Sequence, residues 1–451
     1  MGMPSTTTSI QFNNYLKDFS TLAGNNDPYQ PEWLTEVSKN ALEEFIRMGF
    51  PLQQPGNESW RYTNVMPIAE KAFAFNRNSS PSTPKISPHP EEHREFSIAF
   101  KDGLTEQQTN QTNSMKSSVP YISTFQEAFK HPTLTAVLKE HLTQYSEYRN
   151  NAFTSLNTAF IKEGVLIYVP KGITLPEPIE LNFTFSNQMN GQHVQPRILI
   201  ILGEASEATI LQQFESTADA EYFCNIVNEV VLDGNSDLTL NTIQNHSSNA
   251  YHINTVNVSL NRDSRFRSNS ADIGGQLVRN NIRVRLSKEY SSCSIRGTYV
   301  TNKTQHIDNQ IEVDHISKST TSEELYKGVL ADQSQAVFDG SIIVRKGACK
   351  TQSAQENKNL LLSDSAQANM KPTFWIYNDD VKCNHGAASG KLDQNEIFYM
   401  RSHGISELEA KAQLTQAYIN EIIDPIKHDG TRSKIQKLVE KKLKTVLQES
   451  K

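Results

Sequence analysis

The feature that most constrains the fold of this chain is a loose internal repeat in its middle. Beyond residue 155, short runs rich in β-branched residues replace helical periodicity for roughly 240 residues. A leucine that ends such a run, with a serine a few positions later, recurs about every 30 residues. The copies begin at Leu202, Leu232, Leu260, Leu330 and Leu361, with a degraded copy at Leu286 and one longer step between Leu286 and Leu330.

A period of this length, with several short strands and no helix, is typical of one coil of a parallel β-solenoid. Each coil of such a fold buries its inward face only by stacking on its neighbours. A helical solenoid would need amphipathic helices, which this segment lacks. The alternative is an antiparallel sandwich, although tight-turn signals between strands are few. These signals are Asn190-Gly191, Asp233-Gly234 and Asp339-Gly340, and the last two also suit solenoid corners.

Helical patterns come before the repeat. Apolar residues at three- and four-residue steps from Pro31 to Phe50 predict an amphipathic helix that ends at Gly49. Four prolines among small polar residues predict a linker at residues 78–92. A second helical stretch, from Thr124 to Glu147, contains Pro132, which predicts a break. We expect the first 150 residues to be mostly helix and coil.

Two further helices are predicted after strand character stops beyond Phe398-Tyr399-Met400. Ser406 and Glu409 form a capping box, and Asp424-Pro425 ends that helix. The next helix begins near Thr431, and its outer lysines are either a solvated basic face or part of a docking surface. These lysines are Lys434, Lys437, Lys441, Lys442 and Lys444.

The predicted units follow from these patterns. They are an N-terminal helical domain (1–77), the linker (78–92), a mixed helical lead-in (93–155), the parallel β-helix core (156–402) and a C-terminal helical domain (403–451).

Charge and cysteine content narrow the classes of function. The chain has 44 Lys plus Arg against 50 Asp plus Glu, so its net charge of -6 gives no general basic field for nucleic acid or an anionic membrane. Its amino terminus lacks the pattern of a signal peptide, and no apolar stretch is long enough to span a bilayer. We expect a reduced, cytoplasmic protein, because its cysteines are too scattered for a disulfide framework. The cysteines are Cys224, Cys293, Cys349 and Cys383.

Most enzyme motifs are missing from the sequence. The string nearest to a phosphate-binding loop, Gly386–Leu392, has the wrong spacing and a leucine in place of the metal-binding hydroxyl. HExxH, GxSxG and a strand-linked GxGxxG are also missing. A β-solenoid carbohydrate lyase or hydrolase is the alternative function, because such enzymes use clustered carboxylates. The candidates are Asp308, Glu312, Asp314 and Asp379-Asp380.

The most unusual local segment is Asn378–Gly386, NDDVKCNHG. Residues two apart in a strand project from the same face, so Cys383 and His385 would point together. A thiolate and an imidazole suit iron, zinc or an iron–sulfur cluster. Two ligands do not close a site, so the rest would come from another strand, from solvent or sulfide, or from another chain. The alternative is a buried thiol beside a hydrogen-bonded histidine. Further candidate ligands are His306, Asp308 and His315.

Several segments resemble the SufB/SufD family of iron–sulfur cluster assembly proteins. The string DDVKCNHGA at 379–387 is similar to the SufD branch, because SufB has glutamate where this chain has Gly386 and lacks the DDVKC run. Glu58–Thr63 resembles the family's amino-terminal tryptophan–tyrosine–threonine signature. Other similar segments are Phe338–Ile342, Gly164–Gly172 and Ile397–Ile405.

The resemblance implies a right-handed parallel β-helix core with α-helical domains at both ends. It also implies a non-catalytic scaffold subunit that pairs with SufB through the β-helix and works indirectly with a cysteine desulfurase system. The ATPase SufC is expected to bind the C-terminal helices. The residues expected at that docking region are Ser406, Leu408, Leu414, Tyr418 and Ile422.

The implied site residue is His385, with Cys383 beside it in a less defined role. Together they are expected to offer ligands to iron or a transient iron–sulfur cluster shared with SufB, with no cofactor held stably by the isolated chain. Whether a reduced flavin takes part in the complex, and whether the isolated chain forms a homodimer through the surface meant for SufB, are open at this point.

Overall fold

The structure is a computed structural model, and it describes residues 15–21, 30–53, 56–71, 73–75, 96–109, 119–161 and 164–449. The predicted linker at 78–92 lies outside these residues. A β-solenoid of about 8 turns occupies residues 164–390. Each turn adds one strand to each of two sheets, and stacked residues in one sheet are 26 to 33 positions apart in sequence. The predicted mainly β fold with helices at both ends is confirmed.

The strands are β1 Ala74–Phe75, β2 Ser97–Lys101, β3 Leu104–Thr109, β4 Tyr121–Thr124, β5 Gly164–Val169, β6 Ile179–Phe185, β7 Gln192–Val194, β8 Arg197–Leu202, β9 Glu207–Ser216, β10 Phe223–Leu232, β11 Asp237–Asn245, β12 Tyr251–Leu260, β13 Arg265–Asp272, β14 Leu277–Leu286, β15 Ser292–Thr301, β16 His306–His315, β17 Thr321–Leu330, β18 Gln335–Val344, β19 Thr351–Leu361, β20 Gln367–Ile376 and β21 Val381–Gly390.

These strands form two sheets that face each other. The first has the order β20-β18-β16-β14-β12-β10-β8-β5-β4, with β7 and β1 at its margin, and the second has the order β21-β19-β17-β15-β13-β11-β9-β6-β2-β3. The ladders from β5 to β20 and from β6 to β21 are parallel, which excludes the antiparallel sandwich. At the amino-terminal end, β4 lies antiparallel on β5, and the β2–β3 hairpin lies on β6.

The leucine and serine repeat marks corners of the solenoid. The hydroxyl groups of Ser206, Ser236 and Ser264 each donate to the carbonyl oxygen three residues earlier, at 2.6 to 2.7 Å. The residue before each of these serines has a positive φ of 57° or 58°. A left-handed residue turns the chain sharply, and the buried hydroxyl satisfies the carbonyl that the turn removes from the ladder.

The longer step in the repeat reflects a change of sheet. Leu232, Leu260 and Leu286 stack on one another at the ends of neighbouring strands in the first sheet. Leu330 and Leu361 pair at the ends of β17 and β19 in the second sheet. All of the leucines that end a strand in the first sheet are fully buried. The repeat is therefore one corner motif used in both sheets.

Helices cover the outer faces of the two sheets. They are α1 (residues 15–21), α2 Glu32–Met48, α3 Met66–Lys71, α4 Phe125–Phe129, α5 Pro132–His141, α6 Ala152–Ala159, α7 Gln394–Ser402, α8 Glu407–Ile423 and α9 Asp429–Glu449. The predicted helix ending at Gly49 is α2, and Gly49 takes the positive φ of 70° that suits its place after the last turn. The capping box of Ser406 and Glu409 is present, and Pro132 begins α5.

Some predicted boundaries differ from the structure. Residues 394–402, expected at the end of the β-helix core, form α7, because Asp393 caps a helix there and the solenoid has already ended at Gly390. The first 150 residues contain β1 to β4 besides helix and coil. Lys442, expected on the outer face of the last helix, is largely buried and donates to Asn302 and Gln305. Burial lowers the pKa of Lys442 to about 8.

The C-terminal helices pack on the side of the solenoid. Apolar residues of α8 and α9, including Ile419, Val439 and Leu443, share a core with the outward face of the second sheet. On that sheet, Val300 and Val329 meet them. The two C-terminal helices therefore bury their apolar faces against the solenoid. No helix among the described residues is long and apolar enough to cross a membrane.

A buried ion pair fastens the lead-in to the first sheet. Arg197 and Glu229 are both inaccessible to solvent, and Nε of Arg197 donates to Glu229 at 3.0 Å. The same carboxylate accepts the backbone N–H groups of Thr143 and Tyr145 at 2.8 and 2.9 Å. Buried charges need this degree of pairing, because each one has lost its hydration. The α5–α6 connection is thus fixed against β10.

Candidate metal-ligand site at the open end of the solenoid

The last coil of the solenoid is uncovered. Among the described strands, β20 pairs only with β18, and β21 pairs only with β19, so the outer edge of each carries no further strand. Large apolar side chains beside this edge face solvent, with exposed fractions of 53% for Trp375 and 59% for Tyr377. Phe398 and Tyr399 on α7 are also exposed. An open sheet edge next to exposed aromatic residues is a typical binding surface for another protein.

Cys383 and His385 lie on β21, at this open end. Cys383 stacks on Ser353 and His385 stacks on Gln355 of β19, and both β19 residues are buried. Cys383 packs against the edge of the interior core, while His385 is exposed. The ring of Phe374 meets the His385 ring edge-on, with centroids 4.6 Å apart. The predicted pair therefore shares one strand and faces the mouth of the solenoid.

Polar side chains continue behind Cys383 into the interior. The hydroxyl groups of Ser353 and Ser322 are 2.8 Å apart, and Ser322 is 3.0 Å from Nε2 of His315. Burial raises the pKa of Cys383, and a hydrogen bond from Ser353 offsets part of this effect. Cys383 is consequently a neutral thiol near pH 7, and it becomes a strong ligand only when a metal displaces its proton, which passes to water or to a basic group.

A second polar column lies behind His385. Nε2 of Gln355 donates to Glu324 at 2.7 Å, and Glu324 stacks on Gln355 in the sheet. Burial raises the pKa of Glu324 to about 8, so its carboxyl group is mostly protonated at neutral pH. Gly340 of the facing sheet lies so close that a Cβ there would be 2.1 Å from Nε2 of Gln355. The glycine of the Phe338–Ile342 segment thus makes room for this column.

No third ligand from the residues that the structure describes joins Cys383 and His385. Among the described residues, the one cluster of three or more His, Cys, Asp or Glu ligand atoms lies elsewhere. His315 is buried behind two serine side chains, and His306 and Asp308 lie in the first sheet. Within the described part of the chain, Cys383 and His385 offer two potential ligand side chains at the open end of the solenoid, and no others join them.

His306 and Asp308 hold the amino-terminal signature in place. The hydroxyl of Thr63 donates to Asp308 at 2.5 Å and lies 3.0 Å from Nε2 of His306. The Arg279 guanidinium pairs with Asp308 and sits 3.6 Å from the centroid of the Trp60 ring. The segment Glu58–Thr63 is thereby docked on the first sheet through a cation–π contact and buried hydrogen bonds.

Three of the carboxylates proposed for carbohydrate chemistry, Asp308, Glu312 and Asp314, are paired with arginines. The other two, Asp379 and Asp380, are exposed in the bend before β21. Glu312 accepts from Arg283 at 2.8 Å, and Asp314 accepts from Arg345 at 2.9 Å. Together with the Arg279 pair of Asp308, these contacts neutralise the three carboxylates of β16. A general acid must present an accessible proton to the substrate, whereas these carboxylates are occupied by arginine side chains.

The residues expected to bind SufC occupy different depths in α8. Leu408 is 45% exposed, whereas Ile422 is buried. The ring of Tyr418 lies 4.4 Å from Nζ of Lys327 and packs against the helix–solenoid core. Leu414 is partly exposed, and Ser406 is occupied as the helix cap. Leu408 is thus the most accessible of the apolar residues in this set.

The sequence did not indicate that Gln355 and Glu324 lie beside His385. Nothing near them in the sequence links them to His385, and only the register of the second sheet places the three side chains in one column. Aligning the strands coil by coil would have revealed the column, but the irregular spacing of the repeat hides that register.

Comparison with known proteins agrees with the resemblance to the SufB/SufD family. A family model described as SUF system FeS cluster assembly, SufBD core domain, matches residues 183–418, and one described as SufBD protein N-terminal region matches residues 11–181. An iron–sulfur cluster assembly SufBD family protein of Synechocystis is 28% identical over 387 residues, covering 82% of this chain and 83% of the relative.

Two relatives carry the name iron–sulfur cluster assembly protein SufD. The Escherichia coli protein is 25% identical over 402 residues, covering 87% of this chain and 89% of the relative. The Bacillus subtilis protein is 24% identical over 466 residues, covering 95% of this chain and 97% of the relative. The fold defines a β-solenoid protein with helices at both ends. The chain belongs to the SufBD family, whose role is iron–sulfur cluster assembly.

The raised pKa of Glu324 predicts a pH-dependent stability. A carboxyl group whose pKa is higher in the folded state stabilises the fold at low pH, and this contribution is lost as pH rises from about 4.5 toward about 8. Glu324→Gln cannot ionise, so we expect it to melt on the order of 2 °C higher than the wild type at pH 8 and to show a flatter pH profile. Thermal melting from pH 5 to pH 8 measures both.

The control is Glu323→Gln, since Glu323 is exposed and pairs with Arg296. It should keep the pH profile of the wild type. An unchanged pH profile in Glu324→Gln would contradict a buried carboxyl group with a raised pKa.

Proposed function

We propose that this chain is a SufD-like, non-catalytic scaffold subunit that pairs with SufB through the open end of its solenoid. The observation that carries the proposal is the uncovered last coil, where β20 and β21 expose their outer edges beside Trp375 and Tyr377. A second solenoid placed there would satisfy backbone groups and bury aromatic surface in one step. Without SufB, the same edge is the surface through which two copies of this chain would associate.

His385 is proposed to bind iron or a nascent iron–sulfur cluster at that interface, with Cys383 in support. The cluster is cargo of the assembly process, so it is bound only while the partner supplies the remaining ligands. Two observations support this arrangement: the pair lies at the mouth of the solenoid, and no third ligand from the described residues joins it. The neutral Cys383 thiol agrees with a ligand that is deprotonated only when metal arrives.

SufC is proposed to bind at α8. Leu408 lines a groove of about 610 Å³ between the C-terminal helices and the end of the solenoid. Its other apolar walls are Leu361, Leu362, Leu392 and Leu447. ATP hydrolysis would then belong to SufC, in keeping with the missing phosphate-binding loop, and a cysteine desulfurase system would supply sulfur to the complex. The four cysteines are free, which fits the cytoplasm.

The ligand role of His385 predicts a separation between assembly of the complex and cluster formation. We expect His385→Ala to keep its partners and to lower the iron and acid-labile sulfide that co-purify with the complex at least about tenfold, because a lost ligand costs more than the ~1.4 kcal/mol that equals tenfold. The measurement is iron and sulfide content after co-expression with SufB, SufC and the desulfurase system.

The matched control is His131→Ala, because His131 is an exposed histidine at the start of α5, away from the open end. Cys383→Ala is compared with Cys349→Ala, a partly exposed cysteine outside the site. Cluster content in His385→Ala equal to that of His131→Ala would remove the ligand role.

The groove beside α8 predicts which substitution disrupts SufC binding. Deleting both helices would also uncover the apolar face of the second sheet, so a point change is more informative. We expect Leu408→Glu to weaken SufC binding about tenfold or more, because it places a charge in an apolar contact. The affinity of purified SufC for each variant measures this, with Ile46→Glu as the control, since Ile46 is 39% exposed on α2. Equal affinities for the two variants would place SufC elsewhere.

A further inference from the structure

A second set of metal-ligand residues lies inside the solenoid, away from the open end. Cys224, His246 and His252 each present a ligand atom within 4.8 Å of the others, and the three residues are buried. Cys224 and His252 are direct neighbours on β10 and β12 of the first sheet. His246 directly follows β11 of the second sheet. The two sheets therefore bring together three residues that are separated in the sequence.

The two imidazole rings already bring two nitrogen atoms to nearly the separation that one metal ion requires. Nε2 of His246 lies 3.0 Å from Nδ1 of His252. Two nitrogen ligands on a tetrahedral zinc ion are about 3.3 Å apart, because each Zn–N bond is about 2.0 to 2.1 Å long. A small outward movement of the rings would admit the ion, and the Cys224 sulfur would move toward it.

Residues around the cluster orient the first histidine. The Tyr222 hydroxyl is 2.6 Å from Nδ1 of His246, and Ser216 is 2.5 Å from the same hydroxyl. These contacts leave Nε2 of His246 as the nitrogen that faces the cluster. Metal-binding histidines in proteins are commonly held in this way through their second ring nitrogen.

One buried ring nitrogen of this cluster is left without a hydrogen bond within the described part of the chain. Nε2 of His252 has no hydrogen-bond partner among the described residues, although its side chain is fully buried. Burial lowers the pKa of His252 to about 3, so its ring is neutral. A neutral ring carries one proton, and with that proton on Nε2 the Nδ1 atom of His252, which faces His246, keeps its lone pair for a metal. Burial also raises the pKa of Cys224, which is a thiol until a metal displaces its proton.

We propose that Cys224, His246 and His252 bind one divalent transition-metal ion of the zinc type inside the solenoid. Binding forms one metal–sulfur and two metal–nitrogen bonds, and the thiol proton leaves to the solvent. One thiolate and two imidazoles suit Zn²⁺, with one position of a tetrahedral ion left for a further ligand. The site would tie the two sheets together at one level of the stack. It is independent of the function proposed for the open end.

The turn at residues 246–250 links this buried site to the surface. Ser248 and Asn249 are exposed in the turn, while His246 and His252 on its two sides are buried. The Asp219 carboxylate accepts hydrogen bonds from Ser247 and Asn249, at 2.9 and 3.1 Å, and so holds the turn closed. Metal would enter during folding or when this turn opens.

The test measures metal bound by the full-length chain in a background that carries Cys383→Ala and His385→Ala, so that the open end cannot contribute. The protein is produced with added Zn²⁺ or Co²⁺ and then desalted. We expect about one ion per chain and, for Co²⁺, a thiolate-to-cobalt absorption band. Cys224→Ser should remove the band, whereas Cys293→Ser should keep it, because Cys293 is an equally buried cysteine of the same core.

X-ray absorption of the metal-loaded background protein gives a readout that does not depend on how the variants fold. The expected ligand shell contains one sulfur and two imidazole nitrogens. Metal content below about a tenth of an ion per chain, a shell without sulfur, or a band that survives Cys224→Ser would each overturn the proposal.

Discussion

Stacking of one coil on the next is the interaction on which the rest of this structure depends. Each parallel strand between the two ends satisfies its backbone through both neighbours, and each inward side chain is covered by the coils on either side. The amino-terminal end is closed by β4 and by the β2–β3 hairpin. Among the described strands, β20 and β21 at the other end have no such cover, so the requirement that stabilises the solenoid also leaves the edge at which we propose that a partner binds.

The two candidate metal sites differ in whether neighbouring coils cover them. Cys224 and His252 have coils on both sides, and His246 completes a set of three ligands within one chain. Cys383 and His385 belong to the last coil, where a next coil would have supplied the remaining ligands. An enclosed set suits a resident ion, whereas an open pair suits transient binding to something that must later leave. The position of each candidate site along the solenoid thus favours either resident or transient metal binding.

Much of the fold was predictable because its determinants are local. The serine corners, the helix ending at Gly49, the break at Pro132 and the capping box at Ser406 each depend on residues a few positions apart. The pairing of Cys383 with His385 followed from the two-residue period of a strand. Helix α7 was missed because its Phe398–Met400 segment favours strands, and a cap at Asp393 outweighs that preference.

Features that depend on the register between coils could not be predicted from the sequence. The column of Glu324, Gln355 and His385 and the interior cluster of cysteine and histidines combine residues from different strands. The buried position of Lys442 likewise depends on which face of α9 meets Asn302. An irregular repeat gives the period of the coils but does not say which side chains meet.

Pairing through the open end is most directly tested by co-purification of SufB and SufC with tagged variants of this chain. The two variants are Trp375→Glu at the open end and Tyr290→Glu at an earlier corner, where the exposed fractions are 53% and 51%. We predict that Trp375→Glu lowers the recovery of SufB about tenfold or more while SufC is retained, and that Tyr290→Glu changes neither. Equal recovery of SufB with both variants would show that the solenoid pairs through another surface.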